Sequence, residues 1–380
     1  MVVGTKSPEP RTASAVVAEL DRFFSRKIRD AETRGIWLAQ LWESAHRCAR
    51  GGKLVRPRIF LSMVEALRAG TVSSSNPDAV RDARVHETRI ATALELLHYS
   101  FLLHDDVIDG DLVRRGEPNL IGVLAAAPPD PSFAGAPTAP LSDAQQRRLH
   151  WARSSAVLLG NLLLSEVHQI FASLETDEAS RSRLLELLDT AITDSVAGEQ
   201  LDVGLCDGII PSELGTILEM CRLKTGTYTF ELPLRAAAVV AGAPAELEAV
   251  LARTGRLLGL AFQLQDDLLS VFGDPVLHGK DAFSDIREGK ETALVSYARR
   301  TSSWARIAPS LGRETLDEAD ARSVAAELEA CGARAFVEEA IEETLTRIHR
   351  EAGPDGDASV PEAVSAVVLG IAVELRGRTS

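Results

Sequence analysis

An all-α fold is what the 380 residues of this chain predict. Aromatic residues are only 5% of the total while Leu, Ala, Glu and Arg dominate, a balance that favours helix over strand. Apolar positions recur at helical spacing along most of the chain, and no alternating run is long enough to claim a sheet. The expected architecture is one domain over residues 13–380, a bundle of about ten or more helices around a central cavity.

The elements follow in order. Residues 1–12 read as a frayed tail, and from Ala13 the positions Val16, Val17, Leu20, Phe23 and Phe24 mark one helix face. A helix from Pro57 to Ala69 leads into a loop rich in Ser, Asn and Pro at 70–80. The next helix runs from Val85 to Ile108 and is broken by Gly110 and Gly116-Glu117-Pro118. Residues 125–142, dense in Pro, Ala and Ser, read as a flexible surface loop. Further helices are expected at 143–173, 179–204, 212–241, 245–272 and 284–300, with others filling the C-terminal third. No internal repeat of solenoid period is present.

Composition narrows the function. A net charge of -14 argues against nucleic-acid binding, because phosphate backbones recruit basic surfaces. It does not argue against a diphosphate, since bound cations invert the local charge of a site. Cys48, Cys206, Cys221 and Cys331 show no CxxC pairing, so neither a disulfide framework nor a zinc site is suggested and a reducing cytoplasm fits. The first twenty residues have no apolar core of signal-peptide type. No stretch reaches the roughly eighteen uninterrupted apolar residues of a transmembrane span.

Two aspartate clusters carry the chemistry. Asp105, Asp106 and Asp109 sit in ELLHYSFLLHDDVIDGDLVRRG, and Asp266 and Asp267 sit in LGLAFQLQDDLLSVFGD. The segments leading into them are too apolar to be solvated faces, and carboxylates in such surroundings need a compensating cation. Asp105 and Asp109 share one helix face, one turn apart. Hard oxygen ligands without Cys or His suit magnesium, which keeps waters and bridges to substrate phosphates. Two such faces opposed across a helical bundle would make a polynuclear magnesium site for a diphosphate.

Cationic and polar residues surround these clusters. Lys53 and Arg56 follow Gly51-Gly52 and are spaced to clamp one diphosphate, though alone they read equally as a solvated basic helix start. His98 lies two helical turns before Asp105, where a satisfied core histidine is the commoner case. Arg114-Arg115 follow the first cluster. Lys224-Thr225-Gly226 sits in a helical stretch, where glycine marks a kink that would turn the ammonium and hydroxyl inward. Gln263 shares the inner face of Asp266. Gly279-Lys280 and Gly289-Lys290 bracket Asp285 in a loop suited to act as a lid over a bound diphosphate.

Taken together, these residues resemble the trans-isoprenyl diphosphate synthases of the polyprenyl synthetase family. DDVID followed by Arg114-Arg115-Gly116 is similar to the first aspartate-rich motif of that family. FQLQDD with Gly273-Asp274, then HGK and DIREGK, is similar to the second motif and its trailing loop. The resemblance covers nearly the whole chain and implies an isoprenoid-synthase fold and a homodimer. It implies that Asp105, Asp109 and Asp266 hold magnesium on an allylic diphosphate, with Asp106 and Asp267 in support. It gives Lys53, Arg56, His98 and Arg115 to isopentenyl diphosphate. Arg114, Lys224, Thr225, Gln263, Lys280 and Lys290 would neutralise the allylic diphosphate. Two departures stand out: Ser270 replaces a third Asp found in many members, and the 125–142 insertion is long.

The implied reaction is magnesium-dependent head-to-tail condensation, with ionisation of the allylic diphosphate and attack by the isopentenyl double bond. Phe101, one turn before Asp105, with Ser100 and Leu97, would set a floor for chain growth; ordinary core packing of Phe101 is the equal alternative. An aromatic there resembles enzymes making short products, and geranylgeranyl diphosphate is the expected one. The alternatives are a farnesyl diphosphate synthase, a class I terpene cyclase and a non-catalytic subunit of a heteromeric synthase. Lys53, Arg56 and His98, a second diphosphate set, weigh against the cyclase. Ser270 is the one hint toward the silent subunit.

Overall fold

The computed structural model describes residues 10–69, 77–127, 141–273, 283–313, 315–354, 356 and 359–377. Among them the regular structure is almost wholly helical, as composition and spacing predict. The chain divides into an amino-terminal unit, Pro8–Arg58 with Arg81–Glu175, and a carboxy-terminal unit, Ile59–Val80 with Thr176–Ser380.

In the amino-terminal unit α1 (Pro10–Glu32) packs on α2 (Ile36–Ala49), and Gly35 between them takes a φ of 131° that a side chain would resist. Phe23, Phe24 and Trp42 meet edge to face at centroid distances of 5.3, 6.0 and 6.1 Å. Val16 is buried with them, but Val17, expected on the same face, is exposed because it lies a full 100° step around the helix. Helix α3 (Val55–Arg68), of which Ile59 onward is assigned to the carboxy-terminal unit, is followed by α4 (Pro77–Ile108), which belongs to the amino-terminal unit from Arg81. The latter starts at Pro77 rather than Val85, since proline is preset for the first helical turn. Likewise α1 starts at Pro10, inside the expected tail.

After α4 the chain makes a small hairpin, β1 (Val113–Arg114) with β2 (Glu117–Pro118), Arg114 standing opposite Glu117. Arg115 and Gly116 both have positive φ, 58° and 78°, the pairing that a tight mirror-image turn demands. Asn119 then caps α5 (Leu120–Ala126), its side chain accepting from the Gly122 amide. Helix α6 (Leu141–Ala172) packs on α5. Most of the Pro-rich segment expected at 125–142, its residues 128–140, lies outside the described residues.

In the carboxy-terminal unit α7 (Glu178–Cys206), α8 (Leu214–Cys221), α9 (Leu232–Ala241) and α10 (Ala245–Phe272) surround a π-helical stretch, Arg222–Glu231. The kink expected at Gly226 is this widening. Pro233 has no N–H for the carbonyl one turn back, and Leu232 instead donates to Thr227, five residues earlier. Close approach depends on glycines: a Cβ on Gly259 would lie 2.2 Å from the Gly226 Cα, and one on Gly198 would lie 2.2 Å from the Lys224 nitrogen. The helix expected over 284–300 is instead two, Ser284–Glu288 and Ala293–Ala298, because Gly289 turns left-handed with a φ of 75°. Helices Trp304–Ile307, Glu318–Ala330, Ala333–Ala352 and Glu362–Arg376 complete the unit.

Gly259→Ala should therefore destabilise by about 1–3 kcal/mol despite alanine's better helix propensity. Gly370→Ala, where a Cβ meets nothing within 4 Å, should stabilise by roughly 1 kcal/mol. Urea unfolding of the two variants measures both, and equal midpoints would contradict the glycine crossing.

Candidate active site

The first carboxylate set lies in the last turn of α4. Asp109 follows directly, its amide donating to the Asp105 carbonyl at 2.8 Å. The C-terminal end of a helix dipole repels negative charge, so these side chains depend on cations supplied from elsewhere. Arg114 is one. Its Nε and Nη2 donate to Oδ1 of Asp106 at 2.8 and 2.5 Å, and Nη2 also reaches Oδ2 of Asp105 at 3.0 Å. The hairpin and Asn119 aim it: the Asn119 side-chain amide donates to the Asp111 carbonyl and its backbone N–H to Leu112. Burial outweighs the Arg114 pairing and lifts the Asp106 carboxyl to about 6.

Beside this set lies a basic pocket in the same unit. Arg56 is buried in the first turn of α3, and its charge, with those of Arg114 and Arg115, bears on His98. Burial first, and these cations second, hold the His98 imidazole neutral, well below its ordinary value. Lys53 stands exposed in the turn before α3 and not on the helix, since Gly51 and Leu54 both take positive φ. Arg115 Nη1 donates to the Gly51 carbonyl at 3.3 Å.

Glu95, which sequence reasoning misses, belongs to this pocket. A Cβ on Gly52 would lie 3.1 Å from its Oε1, and Oε2 is buried without a hydrogen-bond partner among the described residues. Burial raises its carboxyl while Arg56 and Arg115 pull it down. The signal available in sequence is ELLH, which puts this glutamate three residues ahead of His98 on an apolar helix.

The second set lies in the carboxy-terminal unit on α10. Thr225 donates from Oγ1 to Oε1 of Gln263 at 2.9 Å, and Gln263 donates from Nε2 to Oδ1 of Asp267 at 2.9 Å. Lys224 reaches Asp202 at 2.6 Å and Glu199 at 3.0 Å, so the π-helical turn brings Lys224 to α7 and Thr225 to α10. Asp202 and Glu199 are also missed in sequence; they lie three apart, on one face of α7, in GEQLD. Burial, then repulsion from Asp285, pushes the Asp267 carboxyl up to about 8, with Asp266 and Asp202 adding to it. Lys290 pairs with Glu288 at 2.9 Å. Gly279, Lys280 and Asp274 lie outside the described residues.

The donor chemistry fits magnesium. The candidate ligands are all carboxylates, and burial lifts one carboxyl of each set, Asp106 and Asp267, far above its ordinary value. Among the described residues no three His, Cys, Asp or Glu side chains converge as a ready-made cage. Magnesium needs none, because it takes one or two carboxylates, waters and substrate phosphates.

Asp267 has a consequence for stability. Its carboxyl keeps a proton in the folded chain up to about 8 against 3.8 otherwise, so the folded state binds more protons in that window. The contribution is full below the lower value and lost as pH rises through the upper one. Without magnesium, the melting temperature should fall between about pH 6 and 8, beyond the range of Asp106, and Asp267→Asn should flatten that fall. Equal slopes in calorimetry of the two proteins would contradict it.

Comparison with known proteins identifies the family. Residues 38–328 match the family model described as Polyprenyl synthetase. The chain is 29% identical over 278 residues, 72% of its own length and 75% of the relative's, to geranylfarnesyl diphosphate synthase of Aeropyrum pernix. It is 28% identical over 289 residues, 74% of its length and 67% of the relative's, to (2E,6E)-farnesyl diphosphate synthase of Mycobacterium tuberculosis. In fold it is similar to geranylgeranyl pyrophosphate synthase from Corynebacterium glutamicum complexed with isoprenyl diphosphate and magnesium. That likeness has a TM-score of 0.81 at 24% identity and covers 96% of this chain and 98% of that one. The chain belongs to the polyprenyl synthetase family, and by that membership is a prenyltransferase.

Proposed function

We propose that this chain condenses isopentenyl diphosphate with an allylic diphosphate, head to tail and with magnesium, and releases geranylgeranyl diphosphate. The observation that carries the reading is that each carboxylate set has one buried member, Asp106 or Asp267, whose carboxyl is pushed by burial far above its ordinary value, with Arg114 paired to the first set and Lys224 next to the Thr225–Gln263–Asp267 chain of the second. Magnesium, when bound, supplies the electrophilic neutralisation of the leaving diphosphate. Asp105, Asp109 and Asp266 are the ligands proposed for it, supported by Asp106 and Asp267.

The chain's own side chains do the rest. Arg56 and Arg115, with Lys53 at the turn, hold isopentenyl diphosphate through charge-assisted hydrogen bonds. His98, neutral at physiological pH, donates or accepts one hydrogen bond there and adds no charge. Lys224, Thr225, Gln263 and Lys290 hold the allylic diphosphate and stabilise the charge that builds on it as its C–O bond breaks. Arg114, now tied to Asp105 and Asp106, exchanges part of that pairing for a phosphate oxygen when substrate arrives. The proton lost in the final step leaves with diphosphate, so no protein base is required.

Product length is read from α4. Leu97 and Ser100 are fully buried, and the Ser100 hydroxyl is committed to the Gly160 carbonyl at 2.9 Å. Phe101 keeps accessible surface one turn before Asp105, which supports a ring that limits growth. The relatives' names span several chain lengths, so this residue carries the choice of geranylgeranyl diphosphate.

The working form proposed is a homodimer. Trp151, Leu158 and Leu162 lie exposed along α6, an apolar stripe of the kind that second copies cover. Asp143–Ala172 is long and apolar enough to cross a membrane by length and composition, a test that core helices of soluble proteins also meet.

Incubation with isopentenyl diphosphate, magnesium and each allylic primer in turn tests the reading. Geranylgeraniol should dominate after dephosphorylation, and Phe101→Ala should shift the main product by at least one five-carbon unit. An unchanged product spectrum would remove Phe101 from the floor. Leu158→Glu should sediment as a monomer, and a dimer of unchanged affinity would exclude the α6 face.

A further inference from the structure

Ser270 stands where the family pattern often has an aspartate, and its surroundings give it a task. It is buried near the end of α10, where its hydroxyl lies 2.9 Å from the Asp267 carbonyl oxygen and 2.5 Å from Oδ2 of Asp285, and its one hydrogen goes to the nearer, charged acceptor. Its backbone carbonyl accepts from the Phe283 amide at 3.0 Å. One residue of α10 thus grips the segment that carries Lys290 at two points.

The gripped segment is short and conformationally demanding. Phe283 has a φ of 67°, which costs a residue with a Cβ, and its ring is nevertheless held buried. Helix Ser284–Glu288 has only five residues, too few to hold itself together in water. Ile286 is its buried residue, and the Ile286 carbonyl accepts from the Gly312 amide at 2.9 Å. The Asp285 carbonyl accepts the amide of Lys290 at 2.9 Å, so the residue that Ser270 holds also fixes the backbone of the lysine. A hydroxyl can donate to the Asp285 carboxylate, whereas an ionised carboxylate at position 270 would have no proton to give and would repel it.

We infer that Ser270 is a positioning residue: its hydroxyl and carbonyl clasp Asp285 and Phe283, fixing the Phe283–Lys290 segment on α10 so that Lys290 meets the allylic diphosphate. The Lys290 part rests on the function proposed above; the clasp does not.

Two measurements separate these parts. Hydrogen exchange on the substrate-free protein reads the amides of 283–290 in Ser270→Ala, Ser270→Thr and Asp285→Ala. Ser270→Ala and Asp285→Ala should speed exchange there about tenfold or more, the scale of a lost hydrogen bond to a charged group, while Ser270→Thr keeps the wild-type rate. Exchange unchanged in Ser270→Ala, or equally fast in Ser270→Thr, would overturn the clasp. Steady-state kinetics then reads the lysine: Ser270→Ala should raise KM for the allylic diphosphate about tenfold and leave KM for isopentenyl diphosphate within about twofold, with Ser270→Thr restoring the first. Equal effects on both KM values would overturn the positioning role. A wild-type chain that elongates no primer would sink the proposed function, and the exchange data would still decide the clasp.

Discussion

The burial of carboxyl groups is the constraint from which the rest of this structure follows. Asp106 and Asp267 are both nearly inaccessible, and burial lifts each carboxyl far above its ordinary range. The protein answers only in part. Arg114 serves Asp105 and Asp106 together, and Lys224 is drawn to Asp202 and Glu199. At Asp267 the Gln263 donor is a neutral amide. Burial of these carboxyls costs stability in the folded chain, and a bound divalent cation would offset that cost.

Backbone geometry serves that charge distribution. The hairpin after α4 uses two positive-φ residues to return Arg114 onto the aspartates that precede it. In the carboxy-terminal unit the π-helical turn offsets Lys224 and Thr225 from the regular helical register. Gly198 and Gly259 then admit the backbone of that turn close to α7 and α10. Each device is a local departure from ideal helix, and each lies beside a residue proposed to bind substrate.

Much of this was legible in sequence because charge in apolar surroundings is conspicuous. The helix over 245–272 appears with the expected limits, as does the end of α4 at Ile108. Spacing put Asp105 and Asp106 at the end of α4 and Gln263 on α10, where it meets Asp267 and not the expected Asp266. What sequence could not reveal was partnership. Nothing in Lys224 alone shows that it meets Asp202, and nothing in Ser270 shows that it reaches Asp285, 15 positions further on. The break at Gly289 was missed because its flanks, DIRE and ALVS, both carry helical patterns. Glu95 was passed over because a single carboxylate in a long helix usually faces solvent.

The most direct test of the proposed magnesium site is calorimetric titration of inorganic diphosphate into the protein with and without magnesium. Binding should require magnesium and weaken at least about tenfold, ~1.4 kcal/mol, in both Asp105→Asn and Asp266→Asn. Diphosphate that binds equally well without magnesium, or that is indifferent to both substitutions, would contradict the proposed magnesium site on these carboxylates.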